Sequence, residues 1–323
     1  MSANVFVTRE IPAAGLDRLR QQTNCTVWPE RLPPSPERLR ELAHGCDGVL
    51  TLLSDRIDAR FFDAVGDQLK VVSNFAVGFN NIDIDEATRR GIAVGNTPDV
   101  LTDSTADVAV ALLLAAARCV REGIENVVRN EWETWEPMGF IGQDLVGKTL
   151  GIVGMGRIGH ATARRLHFGW GMKVVYTSRT PKPQADSELA ASRVDLPELL
   201  AQSDFVSVHT DMNPETSHLF DAAAFAAMKP SAVFVNTARG GIVDQKALFV
   251  ALTSGQIFAA GLDVTDPEPL ASDSPLRDLS NCVILPHIAS ATIASRNAMA
   301  EIATDNLLAG LNGRPLRHQV NSL

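Results

Sequence analysis

Four cysteines in 323 residues are too few and too scattered to staple a fold. Cys25, Cys46, Cys119 and Cys282 form no CxxC pair, and a chain this long buries enough surface to fold without disulfides. The expectation is four reduced thiols in a cytoplasmic protein with no metal site. Long hydrophobic runs are also missing. The greasiest stretch, Ala106–Ala117, is interrupted by Asp107 and falls well short of the roughly 20 residues that a membrane helix needs. The opening MSANVFVTRE has no charged stretch leading into a long apolar one, so no secretory signal is expected. Basic charge is in deficit: 29 Lys and Arg stand against 38 Asp and Glu, a net charge of −9. Nucleic acid is therefore not an expected partner, although a local cationic site can still hold a small anion. No solenoid repeat and no low-complexity segment is present.

What is present is a soluble globular composition, 45% apolar and 21% charged, in a chain too long for one ordinary core. Short apolar runs alternate with longer mixed segments, the rhythm of βαβ units and parallel sheets. The first hundred residues carry strand-like runs at Asn4–Val7, Thr26–Trp28, Gly48–Leu52, Lys70–Asn74 and Ile92–Val94, with helical stretches such as Pro36–His44 and Ile84–Arg90 between them. A second series runs Leu150–Val153, Lys173–Tyr176, Phe205–Val208, Ala232–Asn236, Ala259–Leu262 and Val283–Leu285. An apolar helix capped by Thr102 or Asp103 separates the two series, and a helix over Ser290–Leu311 follows the second.

The sharpest local signal is Gly154-Met155-Gly156-Arg157-Ile158-Gly159, with a strand before it and a helix after it. Gly154 permits the tight turn, Gly156 lets backbone approach a pyrophosphate, and Gly159 lets helix pack on strand. Phosphates are drawn to the N–H groups and dipole of such a helix start. The next strand runs into Tyr176-Thr177-Ser178-Arg179-Thr180-Pro181-Lys182 without the Asp or Glu that usually holds the ribose hydroxyls of NAD. Ser178 and Thr180 can donate to a 2′-phosphate and Arg179 can clamp it, which suits NADP, with NAD still possible. An arginine there is also an ordinary solvated charge.

Polar residues follow several strands of the second series: Thr210, Asn236-Thr237-Ala238-Arg239, Asp263 and His287. Ligands of open α/β sheets bind at that carboxyl edge. Reduction of a 2-oxo acid needs a cation for the carboxylate, an acid for the ketone oxygen, and a carboxylate to orient that acid. Arg239, His287 and Glu268 supply these three; Asp263 either orients the nicotinamide or supports the site. Taken singly, Arg239 reads equally as structural, Glu268 as a surface acid and His287 as a core histidine.

The chain resembles the D-isomer-specific 2-hydroxyacid dehydrogenases over nearly its whole length. The resemblance rests on Val77-Gly78 with Asn80-Asn81-Ile82-Asp83, Ser104-Thr105-Ala106-Asp107, the Gly154 loop, Asn236–Gly240, Gly261–Val264 with Glu268-Pro269, and Pro286–Ser290. It implies a Rossmann cofactor domain over 101–287, inserted into a flavodoxin-like substrate domain made of 1–100 and 288–323. It implies the catalytic set Arg239, Glu268 and His287, and cofactor contacts from Thr105, Arg157, Ile158, Thr210, Pro214, Thr237, Ala238, Asp263, Ile288 and Ala289. Leu53, Val77, Gly78 and Ser290 are implied at the substrate, and Trp135 at the pocket of the other subunit of a homodimer. Within the family the resemblance is to glyoxylate/hydroxypyruvate reductases, which give glycolate or D-glycerate. Ala289 stands where a Gly is frequent, and Met212-Asn213 departs from the usual Pro-Leu-Thr-like stretch. The competing readings are a 2-ketogluconate reductase, a phosphoglycerate-dehydrogenase-like enzyme, and, in a different class, a dinucleotide-sensing regulatory module.

Overall fold

The computed structural model describes residues 2–323. They form two compact units, Met1–Leu101 with Ala291–Leu323, and Thr102–Ser290. The junctions expected from the sequence, 100/101 and 287/288, differ slightly from these. Ile288–Ser290 pass instead to the second unit because Asp263 takes the N–H groups of Ile288 and Ala289.

In the first unit, β1 (Asn4–Val7), α1 (Ala13–Gln22), β2 (Asn24–Val27), α2 (Pro36–Ala43), β3 (Gly48–Thr51), α3 (Ala59–Val65), β4 (Val71–Asn74), α4 (Ile84–Arg89) and β5 (Ala93–Gly95) alternate. The five strands are parallel in the order β2-β1-β3-β4-β5, the flavodoxin-like winding. The central β3 and β4 read GVLT and VVSN, and every residue of both is buried. Strands covered on both faces are mostly apolar, and their buried polar ends, Thr51, Ser73 and Asn74, are hydrogen-bonded. Asp58 and Asp83 cap α3 and α4 by accepting from Phe61 N and Glu86 N. The end of the chain returns to this sheet. Gln319 bridges Gly95, and Asn321 Oδ1 accepts from Val94 N at 2.9 Å.

The second unit opens with α5 (Thr102–Ala117) and α6 (Val120–Val128). Thr102 is already helical, so neither Thr102 nor Asp103 precedes the helix as its cap. Then come β6 (Thr149–Val153), α7 (Arg157–Trp170), β7 (Lys173–Thr177), α8 (Pro183–Leu189), β8 (Ser192–Arg193), α9 (Leu196–Gln202), β9 (Phe205–Val208), α10 (Ala222–Ala226), β10 (Val233–Asn236), α11 (Gln245–Thr253), β11 (Ala259–Leu262) and β12 (Cys282–Ile284). The sheet order is β12-β11-β10-β9-β6-β7-β8, again all parallel. This is the Rossmann winding with one strand added, and its topological switch lies between β6 and β9. Arg165 on α7 clasps α5 by binding Asp103 Oδ1 at 2.9 Å and Asp107 Oδ1 at 2.7 Å. The two-residue strand β8 is too short to leave a hydrophobic run in the sequence.

The last helix, α12 (Ile293–Leu311), starts three residues later than the expected Ser290. Thr292 is its cap, accepting from Ser295 N. It belongs to the first unit, where Ser73 Oγ donates to Ala303 O at 2.8 Å. All four cysteines are unpaired thiols. Among the described residues no group of side chains could hold a metal ion, and no helix is long and apolar enough to cross a membrane.

Candidate active site

The Gly154 turn sits at the switch point. Gly154 has φ +97, and a Cβ there would lie 2.6 Å from Thr210 N and 2.8 Å from His209 O. Only glycine tolerates both that conformation and that approach of the β9 loop. Gly156, one step on, is different: a Cβ there would meet nothing within 4 Å, and no side chain caps α7 behind it. Open space against an uncapped helix start is what a pyrophosphate requires, so the residues fit a dinucleotide. Arg157 and Ile158 form the first turn of α7, and Gly159 is buried in it. Thr105 is buried in the first turn of α5.

At the end of β7, Ser178 Oγ donates to Thr180 O at 2.7 Å, so its proton is spent within the turn. Arg179 is 80% exposed, and its Nη2 lies 3.7 Å from Asp211 Oδ1. The sequence reading did not include that carboxylate. Arg193 on β8 donates to the carbonyls of Ser178 (3.1 Å) and Arg179 (3.2 Å), holding the turn from beneath. Thr210 lies half-buried and Pro214 exposed in the loop after β9. Thr237 is nearly buried, with its Oγ1 3.5 Å from His209 Nδ1; the other ring nitrogen of His209 meets Ser207 Oγ at 2.8 Å. Burial pushes the His209 imidazole down to about 3, so it is a neutral spacer.

The catalytic candidates come together at the β10–β12 half of the same edge. Asn236, the last residue of β10, accepts from Ala238 N and donates to Arg239 O, both at 2.9 Å, and so shapes the loop that carries Arg239. Gly240 locks that loop onto the next one; a Cβ there would stand 2.0 Å from Thr265 O. Burial depresses the Arg239 guanidinium pKa, opposed by the Glu268 carboxylate, yet arginine stays cationic at neutral pH. Glu268 Oε2 lies 2.8 Å from His287 Nδ1, and its Oε1 accepts from Thr265 N at 3.1 Å. Burial opposes ionisation of Glu268. The His287 hydrogen bond, the Thr265 N–H and Arg239 outweigh it and hold the carboxyl below its ordinary range.

Asp263 is 1% exposed. Its two oxygens accept from Ile288 N (2.8 Å) and Ala289 N (2.9 Å), while its carbonyl accepts from His287 N (2.9 Å). Burial raises the Asp263 carboxyl pKa, partly offset by those two N–H groups. His287 is held at φ +55, a left-handed conformation uncommon outside glycine, with its N–H on the Asp263 carbonyl. A cavity of about 830 Å³ opens on this cluster, lined by Asp263, Thr265, Glu268, Pro269 and His287 on one side and by α6 residues such as Arg121 on the other.

In the first unit, the loops carrying Leu53, Val77 and Gly78 are tied together by asparagines. Asn81 Nδ2 donates to Leu52 O (3.1 Å) and Asp55 O (3.0 Å); Asn74 donates to Gly78 O and Asn96 to Val77 O. The carbonyls of Val77 and Gly78 are thus tied down. Among the described residues no group takes their N–H groups. Of these asparagines only Asn81 belonged to a motif singled out above. The structure does not bring Trp135 to the cluster. It stands 79% exposed and makes no hydrogen bond or ring contact there. Ser290 is a half-buried turn residue at the end of the second unit.

Comparison with known proteins agrees with this geometry. The family model described as "D-isomer specific 2-hydroxyacid dehydrogenase, NAD binding domain" matches residues 110–289. The human glyoxylate reductase/hydroxypyruvate reductase is 48% identical over 314 residues, covering 97% of this chain and 96% of its own. The glyoxylate reductase of Korarchaeum cryptofilum is 46% identical over 322 residues, covering 99% and 96%. Among solved structures, a Thermus thermophilus protein superposes with TM-score 0.92 at 46% identity, covering 98% of this chain and 99% of its own. An NADPH-dependent glyoxylate/hydroxypyruvate reductase from Sinorhizobium meliloti, solved with NADP and malonate, gives TM-score 0.87 at 31% identity, covering 99% and 97%. A match across more than half the chain, and relatives of this identity along its whole length, mean that the chain belongs to the D-isomer specific 2-hydroxyacid dehydrogenase family.

Proposed function

We propose that this chain reduces glyoxylate or hydroxypyruvate with NADPH, giving glycolate or D-glycerate. The Glu268–His287 pair at 2.8 Å beside Arg239 carries the reading. A bound nicotinamide dinucleotide supplies the hydride that adds to the 2-oxo carbon. Glu268 fixes the His287 ring through Nδ1, which turns Nε2 into the proton donor for the oxygen as its C=O bond breaks. Arg239 neutralises the substrate carboxylate and the charge gathering on the ketone oxygen. The Val77 and Gly78 N–H groups and the Leu53 loop are assigned to the substrate carboxylate, with Ser290 beside His287. The uncapped start of α7, with Arg157 and Ile158, is assigned to the pyrophosphate, together with Thr105. Thr210, Pro214, Thr237, Ala238, Ile288 and Ala289 are assigned to the rest of the cofactor. Asp263 supports the site by holding the backbone that carries His287. Arg179 is the 2′-phosphate clamp, and the lack of a carboxylate in 178–182 supports NADPH. The relatives named for glyoxylate and hydroxypyruvate reduction support the substrate class.

We also assign a homodimer. Large exposed hydrophobics crowd into one stretch of the second unit: Val120, Ile124, Val127, Val128, Trp132 and Trp135. A second copy of the chain covers such a patch, and Trp135 goes into it.

The test is oxidation of NADPH followed at 340 nm with a panel of 2-oxo acids. Glyoxylate and hydroxypyruvate should be turned over, and His287→Ala should lower kcat by about 10³-fold or more. Unchanged turnover in that variant sinks the acid assignment. Silence with every 2-oxo acid despite tight NADPH binding favours a sensor.

A further inference from the structure

The loops after β7 and β9 belong to strands on either side of β6, yet their side chains meet beyond the Gly154 turn, Arg179 Nη2 to Asp211 Oδ1 at 3.7 Å. Each partner is presented by a built turn. Arg193 holds the carbonyls of Ser178 and Arg179. On the other side Asn213 Oδ1 accepts from Glu215 N and Thr216 N, and Thr216 Oγ1 donates to Asp211 O at 2.7 Å. The Asp211 side chain is further approached by Asn213 Nδ2 at 3.4 Å. Both charged groups stay open to water, at 80% and 65% exposure, so a ligand can reach either. The position is that of the adenosine ribose in this fold, one strand over from the phosphate-binding turn.

We infer that Asp211 is a specificity-determining residue: it supplies, from the β9 loop, the ribose-facing carboxylate that β7 lacks, and it sets how far NADPH is preferred over NADH. The inference rests on the dehydrogenase reading of this site. A 2′-phosphate that takes Arg179 competes with Asp211 for it and must accept a carboxylate nearby, and like charges at that distance repel. An unphosphorylated ribose meets no such penalty, and its hydroxyls donate to Asp211. Arg179 pulls the preference one way and Asp211 the other. The chain is therefore built for both dinucleotides, with the ratio tuned by one exposed ion pair.

The experiment measures equilibrium binding of NADPH and NADH to the full chain by nicotinamide fluorescence, without 2-oxo acid, for the unsubstituted protein, Asp211→Asn, Arg179→Ala and the double variant. Asp211→Asn should lower the Kd for NADPH about three- to tenfold and raise that for NADH, and kcat/KM should rise with NADPH and fall with NADH. Adding NaCl should shrink the change in NADPH affinity, as it does for any exposed charge pair. In the Arg179→Ala background the gain in NADPH affinity should shrink, because part of it comes from freeing Arg179. Equal changes for both cofactors, or a ratio of Kd values that stays within twofold in Asp211→Asn of unaltered circular dichroism, overturn the inference and leave the reductase reading standing. Failure of the unsubstituted chain to bind either cofactor overturns both.

Discussion

On the β10–β12 half of the second sheet's carboxyl edge, the candidate catalytic side chains are held by hydrogen bonds from neighbouring loops and main chain. Asp263 grips three successive N–H groups, Asn236 shapes the Arg239 loop, and Glu268 is pinned between Thr265 and His287. On the β6–β9 half, glycines and main chain do the shaping, and the charged groups Arg179 and Asp211 lie in water. The difference follows from what each half is assigned to do. Proton transfer and charge stabilisation lose steeply with small displacements, so their groups must be fixed before substrate arrives. Discrimination between two ribose ends needs only a modest difference in binding, which exposed charges provide and leave adjustable.

Substitutions on the two halves should therefore fail differently. Glu268→Gln keeps a hydrogen-bond acceptor but removes the charge behind His287; kcat for glyoxylate should fall on the order of 10³-fold with the KM for NADPH nearly constant. Asp263→Asn puts a donor against one of two buried N–H groups. Urea unfolding should show a loss of about 1–3 kcal/mol, and steady-state kinetics a drop in kcat on the order of 10²-fold. Asn213→Ala, on the other half, loosens the Asp211 turn and should shift cofactor Kd values a few-fold while kcat at saturation stays put. A comparable loss of kcat there would erase the distinction. The effect smallest on turnover concerns His209, which acts on stability alone. Its pKa is 6.5 unfolded and about 3 folded, so the unfolded chain binds more protons between those values. The stability is fully present above pH 6.5 and is lost as pH falls towards 3, at up to about 1.4 kcal/mol per pH unit from this residue. His209→Gln should flatten that part of the stability curve, measured by urea unfolding at pH 5 and 7, with little change in turnover at pH 7.

Much of this was legible in the sequence because it is local. Runs such as FVSV and VFVN mark buried strands by themselves, and GMGRIG between a strand and a helix names its own turn. Arg239, Glu268 and His287 could be placed because each follows a strand that opens on one edge. What the sequence hid was pairing at a distance. The sequence leaves Asp263 either orienting the nicotinamide or supporting the site, and only the fold shows that both its oxygens are taken by main chain more than twenty residues on. Asp211 carries no motif of its own and gains meaning only from a turn on another strand. The strand β8 leaves no trace in hydropathy, although its Arg193 props up the Arg179 turn.

The Asp263 grip acts on peptide groups, and main chain is the same whatever side chain it carries. The register of the histidine is therefore little affected by what grows from position 288, whose side chain is exposed. Ile288 illustrates that tolerance, with its side chain in solvent and its N–H on Asp263. A library randomised at 288 therefore varies the surface beside His287 while the main-chain bonds to Asp263 keep the histidine in place.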